Sequence, residues 1–129
     1  MPFKLFDYCD ADGLNDFKEW SKNLQSPQRG KLNAKLDMLA LQGSSLFPEV
    51  LTGTDTAGIL KLRVKGNVQL RPMLCEGPID VTKEFTLLLG AIEVDGKLKP
   101  KKADQIANKR KNEVKMDHHH RRIDHERVS

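Results

Sequence analysis

Cysteine is scarce in this chain. Only Cys9 and Cys75 occur, without the short spacing that holds zinc or runs thiol redox chemistry. They read as unpaired thiols, which suits the cytoplasm better than an oxidising compartment. Long apolar runs are also missing, and the best candidate, Phe85–Ile92, is far too short to span a bilayer. No secretory leader is recognisable, so the expectation is a soluble cytoplasmic protein with no membrane partner. No glycine-rich loop of the kind that cradles phosphates is present. Histidine is confined to His118, His119, His120 and His125, so imidazole acid/base chemistry would have to recruit the C-terminal end. The Asp117–Arg122 run, DHHHRR, lacks a scaffold to fix ligand geometry, and neither a metal site nor a cofactor is expected. Cys75 has no neighbouring histidine to activate it as a nucleophile. Glu76, Asp80 and Glu84 read as solvated charges. Aromatic residues make up 5% of the chain, and Trp20 fits an apolar helical stripe, so it reads as core.

What the chain does have is an amphipathic β-hairpin, Ile59–Glu76. Leu60, Leu62 and Val64 alternate, and so do Val68, Leu70 and Leu74, the period of strands buried on one side. A two-residue turn at Gly66-Asn67 would mix apolar and polar residues on each face. A loop of Lys65-Gly66-Asn67 instead pairs Val64 with Val68 and Leu62 with Leu70. Lys61, Arg63, Gln69 and Arg71 then share the other face. Such a cationic strip suits an anionic ligand or a covering partner, or is a polar face that keeps the sheet soluble.

Around this hairpin the chain reads as β-α-α-β-β-β-α. Phe3–Tyr8 is a first strand, and Gly13–Gln25 a helix capped by Asn15 or Asp12, with Leu14, Phe17, Trp20 or Ser21, and Leu24 along one stripe. Ser26-Pro27 opens a second helix to Gln42, with Gly43 as C-cap. Ser44–Gly58 reads as a long irregular segment whose apolar residues tuck under the sheet edge. Pro72 argues for an edge or a bulge in the second hairpin strand. Lys83–Val94, apolar on both faces, is the central strand. Phe85, Leu87 and Leu89 take one of its faces, Leu88 and Ile92 the other. A last helix, Pro100–Met116, docks by the narrow stripe Ala103, Ile106, Ala107 and Val114. One domain, residues 1–116, is expected, followed by an unstructured tail at 117–129. From Lys97 onward there are 11 Lys and Arg against 5 Asp and Glu, whereas the remainder has 11 against 13. Basicity concentrated at one end favours a nucleic acid or an acidic protein partner.

The order of these pieces resembles the RelE/ParE superfamily of bacterial toxins, in its phage-derived HigB-like branch. Asp12-Gly13, Phe17 and Trp20 echo the family's leading helix. Lys61-Leu62-Arg63-Val64 echoes one strand and Leu70-Arg71-Pro72 another. Leu88–Asp95, on to Pro100, follows its strand-turn-helix block without gaps. The similarity covers Phe3–Val114, and it rests on order and spacing, because no single motif is specific. The resemblance implies an α+β, RelE-like fold: a small antiparallel sheet packed by an N-terminal helical hairpin and a C-terminal helix. It implies a toxin of a type II toxin-antitoxin system, with mRNA, the ribosome and a helix-turn-helix antitoxin as partners. Ribosome-dependent cleavage would proceed without metal, by attack of the mRNA 2′-OH on its own phosphate, with Arg and Lys stabilising the charge.

On this reading Arg71, Lys97 and Arg63 are the catalytic candidates, and Lys61, Arg63, Lys65, Lys99, Lys101 and Lys102 bind nucleic acid. The chain departs from the family where Glu93, Val94 and Asp95 replace its paired lysines, Ile92 its aromatic residue and Gly90 its histidine. Pro72 also alters the strand that would aim Arg71. Carboxylates repel a phosphate, so Lys97 and Lys99 are the cations left to substitute. Three classes therefore stay open: an mRNA endoribonuclease, a catalytically silent RelE-fold protein that binds nucleic acid, ribosome or an acidic partner, and a structural protein that kept only the fold.

Overall fold

The computed structural model describes residues 2–129. Strand β1 (Lys4–Tyr8) leads into helices α1 (Asp16–Asn23) and α2 (Ser26–Gln42). Of the two candidate caps for α1, Asn15 is the one used: its side-chain oxygen accepts the Lys18 backbone N–H at 3.0 Å. Helix α2 starts slightly earlier than expected, with Ser26 already helical and Gln25 at the cap making no side-chain bond. It ends as expected at Gly43, whose N–H reaches the Leu39 carbonyl. The next segment, expected to be irregular, instead holds a 3-10 turn (Gly43–Leu46) and a short strand, β2 (Leu51–Gly53). Leu46 and Leu51 are buried there, whereas Phe47 is exposed.

The amphipathic stretch supplies β3 (Leu60–Leu62), β4 (Gln69–Leu70) and β5 (Met73–Glu76). Val64 pairs with Leu70 and Leu60 with Leu74, so the register is shifted by two residues from Val64–Val68, and the loop is Lys65–Gln69. An even shift leaves every side chain on its face. Leu62, Val64, Leu70 and Leu74 are therefore buried, as the alternation requires. Pro72 lies between β4 and β5 and donates nothing, while its carbonyl accepts the Leu62 N–H at 2.9 Å. It marks a break and a register shift, and β5 is an interior strand rather than an edge.

The expected central strand is divided. Strand β6 (Glu84–Leu89) stops at Gly90, and β7 (Ile92–Val94) turns into β8 (Lys97–Lys99). A Cβ on Gly90 would lie 2.1 Å from the Trp20 ring, so only glycine lets α1 pack over the chain there. Asp95 and Gly96, both at positive φ, make the tight β7–β8 turn. Two sheets result, ordered β2-β3-β5-β6-β1-β9 and β4-β7-β8, with β9 spanning Arg122–Asp124. Pairing is antiparallel except between β1 and β6. The fold is α+β.

Every residue of β6 is buried. Phe85 and Leu87 join a core with Phe17, Leu32, Leu36 and Leu39 from the helical hairpin. Leu88 and Leu89 join a second core with Ala103, Ala107 and Val114 of α3 (Ala103–Met116). Leu89 and Ile92 thus sit on opposite sides from those expected, because the register shifts at Met73/Leu74 and the chain breaks at Gly90.

Residues 117–129 are not an unstructured tail. They form a one-turn helix, α4 (His118–Arg121), and β9, antiparallel to β1. Charge complementarity, invisible in composition, holds them: His125 Nδ1 lies 2.8 Å from Asp7 Oδ1, and Arg122 pairs with Glu84.

Leu62→Ala should cost about 2–5 kcal/mol in denaturant unfolding, since Leu62 is fully buried. Gly90→Ala should also destabilise, by forcing the Trp20 ring off β6.

Candidate functional site

The expected cationic strip does not exist as one open face. Helix α3 covers that side of β5 and β6, packing on Met73, Cys75 and Leu88. Arg71 is buried, 7% exposed, in spite of its charge. Its Nε lies 3.6 Å from Glu93 Oε1, one terminal nitrogen donates to the Leu70 carbonyl at 2.9 Å, and the other approaches Gln69 Oε1 at 3.4 Å. A buried guanidinium needs such partners, and its burial withholds it from a phosphate in solvent. Glu93, the departure from the family pattern, is thus the partner that makes a buried Arg71 tolerable.

Lys97, Lys99, Lys101 and Lys102 are all exposed. Lys97 and Lys99 share a face of β8, and the pairing Lys99–Ile92–Leu70 places that face on the helical-hairpin side. Neither gathers with Arg71. The three catalytic candidates therefore do not converge on one point. Lys61 is half-buried on β3, opposite Thr52 and Met73.

Arg63 and Lys65 do converge, with residues that sequence reading did not single out. A groove of about 430 Å³ is lined by Lys31, Ala34 and Lys35 of α2, by Glu49 and Val50, and by Arg63, Val64 and Lys65. Its construction follows from α2. Leu32, Leu36 and Leu39 point into the core, and Lys31 and Lys35, one turn apart, flank that stripe. The chain leaving β3 supplies the opposite wall, where Arg63 N–H donates to the Val50 carbonyl at 2.8 Å and its guanidinium reaches the Glu49 carbonyl at 3.4 Å. Lys31 extends to Gly66, so its ammonium group lies over the hairpin loop.

Four cations and one carboxylate residue, Glu49, line this groove, a net excess of positive charge. Among the described residues, no carboxylate oxygen lies within 4.0 Å of Lys31, Lys35, Arg63 or Lys65. Arg71, Arg110, Arg121, Arg122 and Arg127, by contrast, all have acidic partners. Four like charges around one concavity repel, and an anion entering it relieves that repulsion. The walls between the cations are Ala34, Val50 and Val64 with Glu49 at one side, and no aromatic ring lines them. Recognition by charge is therefore available, and stacking on a base is not. The signal for the missing half of the site was the Lys31–Lys35 spacing beside Leu32 and Leu36.

Other reactive groups are tied down. Both cysteines are buried, and burial pushes the Cys75 thiol up to about 12 and raises Cys9 as well, so neither offers a thiolate. Tyr8 donates to Glu113 at 2.6 Å, and burial together with that carboxylate raises its phenol to about 12. Among the described residues, no group of three or more metal-ligating side chains is assembled. No helix among the described residues is long and apolar enough to cross a membrane.

Tyr8 is the only tyrosine, so ultraviolet titration reads it alone. Its ionisation should fall near pH 12 in the folded protein instead of about 10. The folded state then holds a proton that the unfolded state has lost. Stability should decline as pH rises from about 10 to about 12, and Glu113→Gln should shift the Tyr8 titration downward.

No protein-family model, no curated protein and no solved structure matches the chain.

Proposed function

We propose that this protein is a RelE-fold binding protein that holds the phosphate backbone of RNA in the α2–hairpin groove, without cleaving it. The observation that carries this reading is the convergence of four cations, Lys31, Lys35, Arg63 and Lys65, on one concavity whose lining holds a single carboxylate residue, Glu49. Phosphate recognition requires positive charge and access, and both are present there. The RelE-like character is supported by a helical hairpin following the first strand, a C-terminal helix, and the resemblance of Phe3–Val114 in order and spacing. Exposed Lys97, Lys99, Lys101 and Lys102 extend the positive surface.

A second reading, the ribosome-dependent mRNA endoribonuclease of a toxin-antitoxin pair, is favoured by Arg63. This residue is both a family-matched strand arginine and a wall of the groove. In that case Arg63 and the groove lysines would stabilise the phosphate during 2′-OH attack, and Arg71 would be structural. Its restraint would fall to a helix-turn-helix antitoxin. The burial of Arg71 and its engagement with Glu93 weigh toward binding alone.

The test is fluorescence anisotropy with a labelled single-stranded RNA. Affinity should fall steeply with salt, and Lys31→Glu or Arg63→Glu should each flatten the log–log slope by about 0.7 for every phosphate no longer neutralised. Both changes lie at the surface and should leave folding within about 0.5 kcal/mol. Salt-independent binding would reject the groove. Cleavage of mRNA on translating ribosomes by the wild type, abolished by Arg63→Ala, would establish the second reading instead.

A further inference from the structure

The C-terminal segment is held differently from the rest of the fold. No residue between Asp117 and Ser129 is buried, and the apolar Ile123 stands 48% exposed. What holds it is polar. Strand β9 pairs with the edge of β1 at Phe6, Asp7 and Tyr8. Beyond that short ladder, His125 N–H donates to the Leu5 carbonyl at 3.0 Å and Cys9 N–H to the Arg121 carbonyl at 2.9 Å.

Arg122 and His125 then clamp β1 from both sides of the sheet. On the α3 side, the Arg122 guanidinium lies 3.8 Å over the Phe6 ring and pairs with Glu84. On the α1 side, His125 meets Asp7, which is 0% exposed and also accepts from Asn15 at 2.8 Å. Further along, Arg127 grips Asp37 through both carboxylate oxygens, and Asn33 donates to the Val128 carbonyl. Arg122 and His125 are three apart, an odd spacing that sends extended-chain neighbours to opposite faces.

We propose that the β1 edge is a docking slot for a basic extended segment, one carrying an arginine and, three residues later, a histidine. The chain's own residues 117–129 are its resident, exchangeable occupant. The slot is built by Asp7 and Glu84, two carboxylates left without their partners when the segment departs, and by the unpaired edge of β1. A strand of matching charge would add to the sheet there through main-chain hydrogen bonds, with Asp7 and Glu84 reading its side chains. A segment held by charge and a short ladder, with no buried apolar anchor, opens locally without unfolding the domain.

Two measurements on the full chain test this. The first is amide hydrogen exchange at low salt and at about 1 M, where the Debye length is about 3 Å. Exchange at His125 and Cys9 should quicken by about tenfold or more, while Leu62 and Leu70 keep their protection. The second uses the full-length Arg122→Ala/His125→Ala variant and a synthetic peptide of residues 117–129. The peptide should bind the variant and restore protection at Cys9, and adding Asp7→Asn should weaken it by about tenfold. Exchange at His125 that tracks Leu62 at every salt concentration would overturn the proposal, because the segment would then be an ordinary part of the core. So would peptide binding indifferent to Asp7→Asn. If the double variant fails to fold, the salt dependence of exchange in the wild type still decides.

Discussion

The whole arrangement depends on β6 having no exposed face. A strand with Glu84, Phe85, Thr86, Leu87, Leu88 and Leu89 all buried must be covered twice, by helices on both sides of the sheet. The N-terminal helical hairpin supplies one cover and α3 the other. Arg71, at the junction of β4 and β5 beside this strand, is likewise removed from solvent. There the guanidinium must find carbonyls and a carboxylate or carry an unpaired buried charge, which costs several kcal/mol. Gln69, Leu70 and Glu93 provide them. The groove exists where the double cover ends, at the flank of α2 beside the chain leaving β3.

Much of this was legible in the residues. The alternation of Leu60, Leu62, Val64, Leu70 and Leu74 identified the buried face even though the register was off by two residues, because an even slip preserves faces. The sparse stripe Ala103, Ala107 and Val114 correctly marked the docking edge of α3. What could not be read was which face α3 would take. Periodicity says that a strand is apolar on both sides and does not say which charges the packing will bury. The cationic strip failed for that reason: Arg63 lies in the groove and Arg71 in the interior, although they alternate with apolar residues in the same way.

The C-terminal segment was missed for a different reason. Its composition, rich in charge and histidine, resembles that of chains too polar to order themselves. Order here comes from specific partners far away in sequence, Asp7 and Glu84, whose carboxylates composition counts only as surface charge. Gly90 illustrates the same limit. As a departure from a family pattern it reads as a lost histidine, whereas against the Trp20 ring it is the one residue that fits. The Lys31–Lys35 spacing was visible on α2, but nothing local ties it to Arg63 and Lys65.

The central claim is that phosphate charge is received by the groove and not by the buried arginine. Amide chemical-shift mapping during titration with a short single-stranded RNA tests it most directly. The largest changes should cluster at Lys31, Lys35, Arg63 and Lys65, with Arg71 and Glu93 unmoved. Changes centred on Arg71, Glu93 and Lys97, with the α2 lysines silent, would contradict it.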